Sequence, residues 1–186
     1  TKASQISNQS LSSFDILLSQ MEVQANEVET LFLRAKERDC YRILNLAPAM
    51  KLSESLFSNT DLFVVNEIEL ESMSKNSLQL DSIDSVRANI ESISLNKNQS
   101  IIVTLGSTGV FINHANKQEF IEGHNVEAVD TTGSGDCFLG ALASSLVKNE
   151  NLFDAAAYAN KAAALSVTKK GASASMPTHQ DVLKFL

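Results

Sequence analysis

Short apolar runs alternate with longer segments of helical periodicity along the chain. The apolar runs lie in "FDILLSQ", "YRILNLA", "DLFVVNE" and "SIIVTLG". The segment after the first run has apolar residues at the i, i+3, i+4, i+7 spacing of a helix that buries one face: Val28, Leu31, Phe32 and Ala35. Because strands that alternate with helices are typical of a parallel sheet flanked by helices, the pattern predicts an α/β fold.

The strand-like runs differ in how polar they are. "LFVV" and "IIVTL" are apolar throughout, as expected for interior strands that are covered on both faces. "VFIN" and "EFIEG" are joined by turn-forming residues, which predicts an antiparallel pair at a sheet edge. Residues 72–100 are rich in Ser, Asn and Asp, and we expect a solvated connecting helix with loops there.

The last third of the chain has helical periodicity. The first predicted helix has an apolar face formed by Phe138, Leu142 and Leu146. An alanine-rich helix follows, with Lys169 and Lys170 in its predicted last turn and Gly171 as a left-handed C-cap. We find no internal repeat and no Pro- or Gly-rich linker, so residues 1–186 are expected to be one domain or part of one.

Composition narrows the class of protein. The formal charge of −7 argues against nucleic acid as a main partner, because phosphate binding on that scale needs a basic surface. No apolar run approaches the roughly 18 residues of a membrane span, so we expect no membrane partner. Cys40 and Cys137 have neither metal-ligand spacing nor a disulfide framework, which indicates buried thiols and a reducing cytoplasm.

The segment "DTTGSGDCFLGALASSL", residues 130–146, is a polar turn that leads directly into an apolar helix pattern. The first N–H groups of a helix lack internal acceptors, and Gly133 and Gly135 let the backbone approach a ligand closely, so an anion such as phosphate fits there. A carboxylate is poorly suited to bind phosphate but well suited to accept a proton from an attacking hydroxyl, which indicates phosphoryl transfer to an alcohol. The alternative is a glycine-rich turn with Asp136 as a helix cap.

"DTTGSGD" resembles the C-terminal signature of the ribokinase-like, PfkB-type carbohydrate kinase family. Four further segments are similar to that family in order and spacing: "LNLAPA", "VVNEIELE", "VTLGSTGVF" and "TKKGASASMP". The resemblance implies a ribokinase-like, Rossmann-type three-layer α/β fold with a mostly parallel sheet. It also implies that residues 1–186 are the C-terminal, nucleotide-binding part of one domain, with the N-terminal part and its β-sheet lid missing.

The resemblance assigns catalytic roles to the turn. Asp136 would be the base that activates the sugar hydroxyl, and it would also contact the sugar. The backbone amides of Gly133, Ser134, Gly135 and Asp136 would form the anion hole.

The resemblance also assigns nucleotide and magnesium contacts. Asn66 and Glu69 of "NEIE" would help to organise Mg²⁺ and the nucleotide phosphates, partly through water; without the resemblance they are ordinary polar groups at a strand end. The nucleotide would further be bordered by residues that otherwise belong to a plain turn and a helix surface: Thr104, Gly106, Gly109 and Asn160.

The remaining implied contacts concern a monovalent cation and the sugar. Asp130, Thr132 and Ser175 match positions around a K⁺ site. Glu22 matches a sugar-contacting acid, and the alternative for Glu22 is an exposed Glu at a strand end. The implied cofactors are ATP, Mg²⁺ and K⁺. The implied full-length protein is a cytoplasmic homodimer.

The implied reaction is ATP-dependent phosphorylation of a primary sugar hydroxyl, with ribose converted to ribose 5-phosphate. Fructose, a deoxysugar or a nucleoside is the alternative acceptor, and a non-catalytic nucleotide-binding regulatory module is the alternative from another class. Since the implied sugar-binding segment is missing, we expect the isolated chain to be poorly active.

Overall fold

The computed structural model describes residues 2–11, 15–74, 82–148 and 150–185. Its six strands follow one another in a single sheet in the order β1-β2-β3-β4-β5-β6. The first four strands pair in parallel, with Leu18 opposite Ile43 and Val64 opposite Ile102. The strands are β1 (Ile16–Ser19), β2 (Tyr41–Asn45), β3 (Leu62–Asn66), β4 (Ser100–Thr104), β5 (Gly109–His114) and β6 (Lys117–Glu122).

Helices connect and follow the strands, which confirms the predicted α/β class. They are α1 (Asn8–Leu11), α2 (Ala25–Lys36), α3 (Glu54–Ser58), α4 (Glu67–Met73), α5 (Ile83–Ser92), α6 (Ser134–Val147), α7 (Leu152–Ser166) and α8 (His179–Lys184). Short 3₁₀ turns lie at Ala3–Gln5, Gly106–Thr108 and Ser173–Ser175. None of the helices in the described ranges is long and apolar enough to cross a membrane.

Contacts between Cα atoms divide the chain into two compact units. The first comprises Thr1–Thr104 and Ile112–Gln118, and the second comprises Leu105–Phe111 and Glu119–Leu186. In the first unit the apolar runs of β3 and β4 are buried, as predicted for interior strands. The helical face predicted in α2 is confirmed as well, since Val28, Phe32 and Ala35 are buried and Leu31 is half-buried.

The second unit is built around the long helices α6 and α7, which pack against each other. Cys137 of α6, Ala162 of α7 and Val182 of α8 form a buried apolar cluster there. Both cysteines of the chain are free and buried, as predicted, and burial raises the pKa of each thiol.

The turn between β5 and β6 consists of Ala115 and Asn116, both with positive φ, at 50° and 63°. A two-residue loop of this kind matches the twist of antiparallel strands, so β5 and β6 form a hairpin. β6 is the last strand in the sheet order. The antiparallel pair predicted at a sheet edge is therefore confirmed.

The end predicted for the alanine-rich helix is wrong. α7 ends at Ser166, before Lys169 and Lys170, and Val167 is its C-cap. The backbone N–H and the hydroxyl of Thr168 both donate to the carbonyl oxygen of Leu165, at 3.2 and 2.7 Å, so the chain tightens into three-residue bonding directly after Ser166. Gly171 has the predicted positive φ, 99°, but it belongs to the loop that follows.

The polar segment predicted as a solvated connecting helix lies partly outside the described residues, at positions 75–81. Within the described part, α5 provides the predicted helix. Its Val86, Asn89 and Ile90 are buried, so one face of this helix packs against the rest of its unit.

Candidate functional site

The turn that precedes α6 depends on a glycine. Gly133 is the N-cap of α6 and has a left-handed φ of 77°. A Cβ atom on Gly133 would lie 3.1 Å from the Cβ of Ala172, which is tighter than an ordinary van der Waals contact. The N–H of Ser134 donates to the carbonyl oxygen of Thr131 at 3.2 Å, so this amide is engaged within the turn.

The first turn of α6 combines an exposed carboxylate with open space. Asp136 is exposed there, and a Cβ atom built on Gly135 would meet no atom within 4 Å. Helix geometry provides no intrahelical acceptor for the N–H groups of a first turn, and the helix dipole adds partial positive charge at the same place. The local structure is therefore suited to hold an anion next to a carboxylate.

Asp130 fixes the loop before this turn. One carboxylate oxygen accepts from the N–H of Thr132 at 3.0 Å, and the other accepts from the N–H of Gly171 at 2.9 Å. These two donors lower the pKa of Asp130 below its ordinary value. The buried hydroxyl of Ser175 donates to the carbonyl oxygen of Ala172 at 2.8 Å. Two of the residues predicted around a K⁺ site thus shape neighbouring loops.

A cavity of about 540 Å³ lies within the second unit. This volume is in the range of small-molecule sites. The lining residues are mostly small and come from the 106–107 turn, the 123–134 segment and α7: Gly106, Ser107, Gly123, His124, Asn125, Val126, Ala128, Thr131, Ser134, Asn160, Ala163, Ala164 and Val167. Since Thr131 and Ser134 belong to the turn at α6, the cavity opens onto the candidate anion site.

Three residues predicted to border a nucleotide lie in this unit. Asn160 is buried on α7, lines the cavity, and its side-chain N–H donates to the carbonyl oxygen of Glu122 at 2.9 Å. Gly106 lines the cavity too. Gly109 is not among the lining residues: a Cβ atom there would lie 2.1 Å from the carbonyl oxygen of Ile121, so close packing of the backbone requires this glycine.

Asn66 and Glu69 lie in the first unit and form a reciprocal helix cap. The side-chain oxygen of Asn66 accepts from the N–H of Glu69 at 2.9 Å. The carboxylate of Glu69 accepts from the backbone N–H of Asn66 at 2.8 Å and from its side-chain N–H at 3.0 Å. Burial raises the pKa of Glu69. The motif predicted from the sequence therefore forms the N-terminus of α4.

The remaining predicted residues of the first unit lie at strand ends. The hydroxyl of Thr104, at the end of β4, donates to the carbonyl oxygen of Val65 at 3.3 Å. Glu22 is exposed in the turn after β1, next to the buried Met21, whose N–H donates to the carbonyl oxygen of Ala47. Thr104 and Glu22 thus lie at or after the carboxyl ends of strands, where open α/β sheets usually bind ligands.

The described residues contain no group of three or more His, Cys, Asp or Glu side chains that could hold a metal ion. Mg²⁺ prefers oxygen ligands and keeps several of its waters, so a single carboxylate can suffice on the protein side. Each oxygen of Glu69 accepts one hydrogen bond and has a further lone pair. The Asn66–Glu69 pair therefore fits an indirect magnesium contact through water.

Several cavity residues were not predicted from the sequence. They include His124, Asn125 and Val126 after β6, and Ala163 and Ala164 on α7. The sequence shows only that these alanines belong to an alanine-rich helix, a pattern that is the same whether the small side chains face a neighbour or a cavity. His124 belongs to no motif, so its sequence position carried no signal.

A family model described as pfkB family carbohydrate kinase matches residues 2–179. A ribokinase of Haemophilus influenzae is 38% identical over 173 residues, which are 92% of this chain and 56% of that protein. The chain thus spans little more than half the length of the curated relatives it matches.

Solved structures show the same fold. The crystal structure of a ribokinase from Thermotoga maritima has a TM-score of 0.84 at 32% identity and matches 99% of this chain and 60% of that one. A ribokinase from Cryptococcus neoformans in complex with ADP has a TM-score of 0.84 at 26% identity and matches 94% of this chain and 61% of that one. The predicted ribokinase-like fold with a mostly parallel sheet is confirmed.

Proposed function

Because the chain belongs to the pfkB family of carbohydrate kinases, we propose that, as part of its full-length gene product, it transfers the γ-phosphoryl group of ATP to the primary 5-hydroxyl of ribose. The observation that carries this proposal is the position of Asp136 in the first turn of α6, directly after the Gly133 turn. A proton acceptor and an anion site side by side are what phosphoryl transfer to an alcohol requires.

The cavity of the second unit is the proposed binding site of the nucleotide. Its small side chains leave room for a base and a ribose, and Asn160 presents a buried amide to that space. Thr131 and Ser134 connect the cavity to the turn at α6. A nucleotide with its base in the cavity therefore directs its phosphates towards Gly133 and Gly135.

In the proposed reaction, the acceptor hydroxyl attacks the γ-phosphorus while the bond to the β–γ bridging oxygen breaks, and ADP leaves. Asp136 takes the hydroxyl proton late in this step. First-turn N–H groups of α6 stabilise the charge that spreads over the oxygens of the transferred group. Glu22 is the proposed sugar contact within this chain.

Two cations are part of the proposal. Asn66 and Glu69 would hold Mg²⁺ through water, and the ion would neutralise charge on the nucleotide phosphates. K⁺ would bind near Asp130, Thr132 and Ser175, with backbone carbonyl oxygens as further ligands. The carboxylate of Asp130 already orders this loop, which supports a K⁺ effect on loop geometry rather than on the transferred group. The full-length protein is proposed to be a cytoplasmic homodimer.

The test is ADP formation by the full-length gene product with ATP, Mg²⁺ and a panel of ribose, fructose, deoxyribose and nucleosides, with and without K⁺. Ribose-dependent turnover that K⁺ stimulates is the expected result. Turnover with another acceptor would support the kinase activity but contradict ribose as its substrate. ATP binding without turnover on any acceptor would contradict the kinase proposal and indicate a regulatory nucleotide-binding module.

A further inference from the structure

His124 has a distinctive place in the cavity of the second unit. It follows β6 directly after Gly123, and both residues line the cavity. Among the thirteen described residues that line this space, His124 has the only ring; the others have amide, hydroxyl or small aliphatic side chains, or none. A flat ring at the wall of a site for a flat heterocycle provides stacking area that the other lining residues lack.

The backbone at His124 is held in place by its neighbours. The N–H of Gly123 donates to the carbonyl oxygen of Thr108 at 2.8 Å. A Cβ atom on Gly123 would lie 2.0 Å from the carbonyl oxygen of Ser107, so the chain packs directly on the 3₁₀ turn at this point. The backbone of His124, the next residue, is therefore held in a fixed position at the cavity.

The ring of His124 is also held from one side. It packs edge-on against the ring of Phe185, with centroids 5.2 Å apart and planes at 70°. Edge-to-face contact is a favoured arrangement for two flat rings, and it restricts rotation of the half-buried imidazole. Phe185 thus restricts the side chain of a residue that lines the cavity.

The charge of His124 suits contact with a neutral base. Burial lowers its pKa, and the nearby ammonium group of Lys161 lowers it further. Since the ordinary pKa of a histidine is near 6.5, the imidazole is neutral at pH 7 and above. A neutral ring stacks on a heterocycle without the cost of removing water from a charge.

We propose that His124 contacts the base of the bound nucleotide and supplies base-dependent affinity at the cavity of the second unit. This inference rests on the proposed function, because it takes a nucleotide as the ligand of the cavity. It adds a recognition residue on the segment after β6, which belongs to none of the motifs found in the sequence. The phosphates, which the turn at α6 would bind, do not depend on His124.

The experiment compares two ligands by isothermal titration calorimetry on the full-length gene product without Mg²⁺: ADP, and inorganic tripolyphosphate, which has no base. Two variants separate the ring from its volume. His124→Leu removes the flat ring and keeps apolar bulk, whereas His124→Phe keeps a flat ring. His179→Ala is the matched control, because His179 bonds to Tyr158 on α7 and is not among the lining residues.

His124→Leu is expected to weaken ADP binding by about three- to tenfold, the range of aromatic contacts. Tripolyphosphate binding is expected to be unchanged, and His124→Phe and His179→Ala are expected to bind ADP within about twofold of the wild type. Wild-type-like ADP binding by His124→Leu, or equal loss of both ligands, would overturn the inference alone. Absence of ADP binding by the wild-type full-length gene product would overturn the proposed function together with it.

Discussion

At the start of α6, Asp136 places an exposed carboxylate beside backbone that is suited to an anion. A negative side chain at this position repels phosphate, so it lowers rather than raises nucleotide affinity. Its presence is explained if it accepts a proton from the group that attacks the phosphate. The proposed role of Asp136 therefore lies in the rate of transfer and not in binding.

Replacement of Asp136 by Asn should separate these two quantities. We expect Asp136→Asn to lower kcat with ribose by about 10²–10⁴-fold, the usual range for loss of a general base. The Kd for ATP should be unchanged or smaller, because a negative charge near the phosphates is removed. Steady-state kinetics and calorimetry on the full-length gene product measure both.

The control for this variant is Asp154→Asn. Asp154 is likewise an exposed acid in the first turn of a long helix, α7, and it is not among the cavity-lining residues. It should leave kcat unchanged. A wild-type kcat for Asp136→Asn would remove the proposed mechanism.

The buried carboxyl group of Glu69 should make the stability of the protein depend on pH. Its pKa is raised in the folded chain by burial, so the folded state binds the proton more tightly than the unfolded state does. The contribution of Glu69 to stability is therefore largest in acid and is lost as the pH rises from its ordinary value of 4.5 through the raised value. Glu69→Gln, which can still cap α4, should abolish this dependence.

Thermal unfolding at pH 5 and pH 7 checks this. The Tm of the wild type relative to Glu69→Gln should be higher at pH 5 than at pH 7. Glu71→Gln, an exposed position on the same helix, should show no such change. A difference between wild type and Glu69→Gln that does not change with pH would refute the assigned effect of burial.

At this scale the sequence predicts what is local in the chain. "TTGSGD" indicates a glycine turn that opens a helix, and the structure has Gly133 as the N-cap of α6. "NEIE" contains both members of the Asn66–Glu69 cap, three residues apart. His124 could not be found in this way, since its place depends on Phe185, sixty-one positions further along.

At the scale of elements, α6 contains two glycines that differ in their distance from the start of the helix. Neither Gly135, in the first turn, nor Gly140, in the middle of the helix, would place a Cβ atom within 4 Å of another atom. Both are therefore sterically open in the protein alone. Gly135 borders the proposed phosphate position, whereas Gly140 is exposed further along the helix.

Gly135→Ala and Gly140→Ala test this difference. Each should raise the free energy of unfolding by about 0.4–1 kcal/mol, because alanine restricts the unfolded chain. Only Gly135→Ala should weaken ADP binding, by roughly tenfold, since a methyl group forced into a close contact costs about 1–3 kcal/mol. Denaturant unfolding and calorimetry give the two quantities, and equal ADP affinity of both variants would exclude close phosphate approach at Gly135.

Elements differ in how well their sequences predict them. The apolar runs of β3 and β4 and the hairpin at Ala115 and Asn116 agree with prediction, because burial and turn geometry leave local patterns. The end of α7 differs from the prediction, because several residues near it can each end a helix. Thr168 bonds back to Leu165 before the lysines and Gly171 are reached.

At the scale of the whole molecule, the cavity is a property of the fold rather than of a motif. Its lining comes from three stretches of sequence: a turn after β4, the segment after β6, and the C-terminal half of α7. Only the first and last of these contain residues that the sequence predicted as nucleotide contacts, Gly106 and Asn160. The sequence pattern predicts the fold class and the glycine turn before α6, but it does not show which small side chains surround a space.

All lining residues of the cavity belong to the second unit. A ligand that binds there stabilises that unit by mass action, by about 2.7 kcal/mol at a concentration one hundred times its Kd. With ADP and no Mg²⁺, we expect slower amide exchange at residues 105–111, 119–148 and 150–185. Hydrogen–deuterium exchange with mass spectrometry measures this, and inorganic tripolyphosphate separates base contacts from phosphate contacts. Protection confined to residues 2–74 would place the nucleotide outside this cavity.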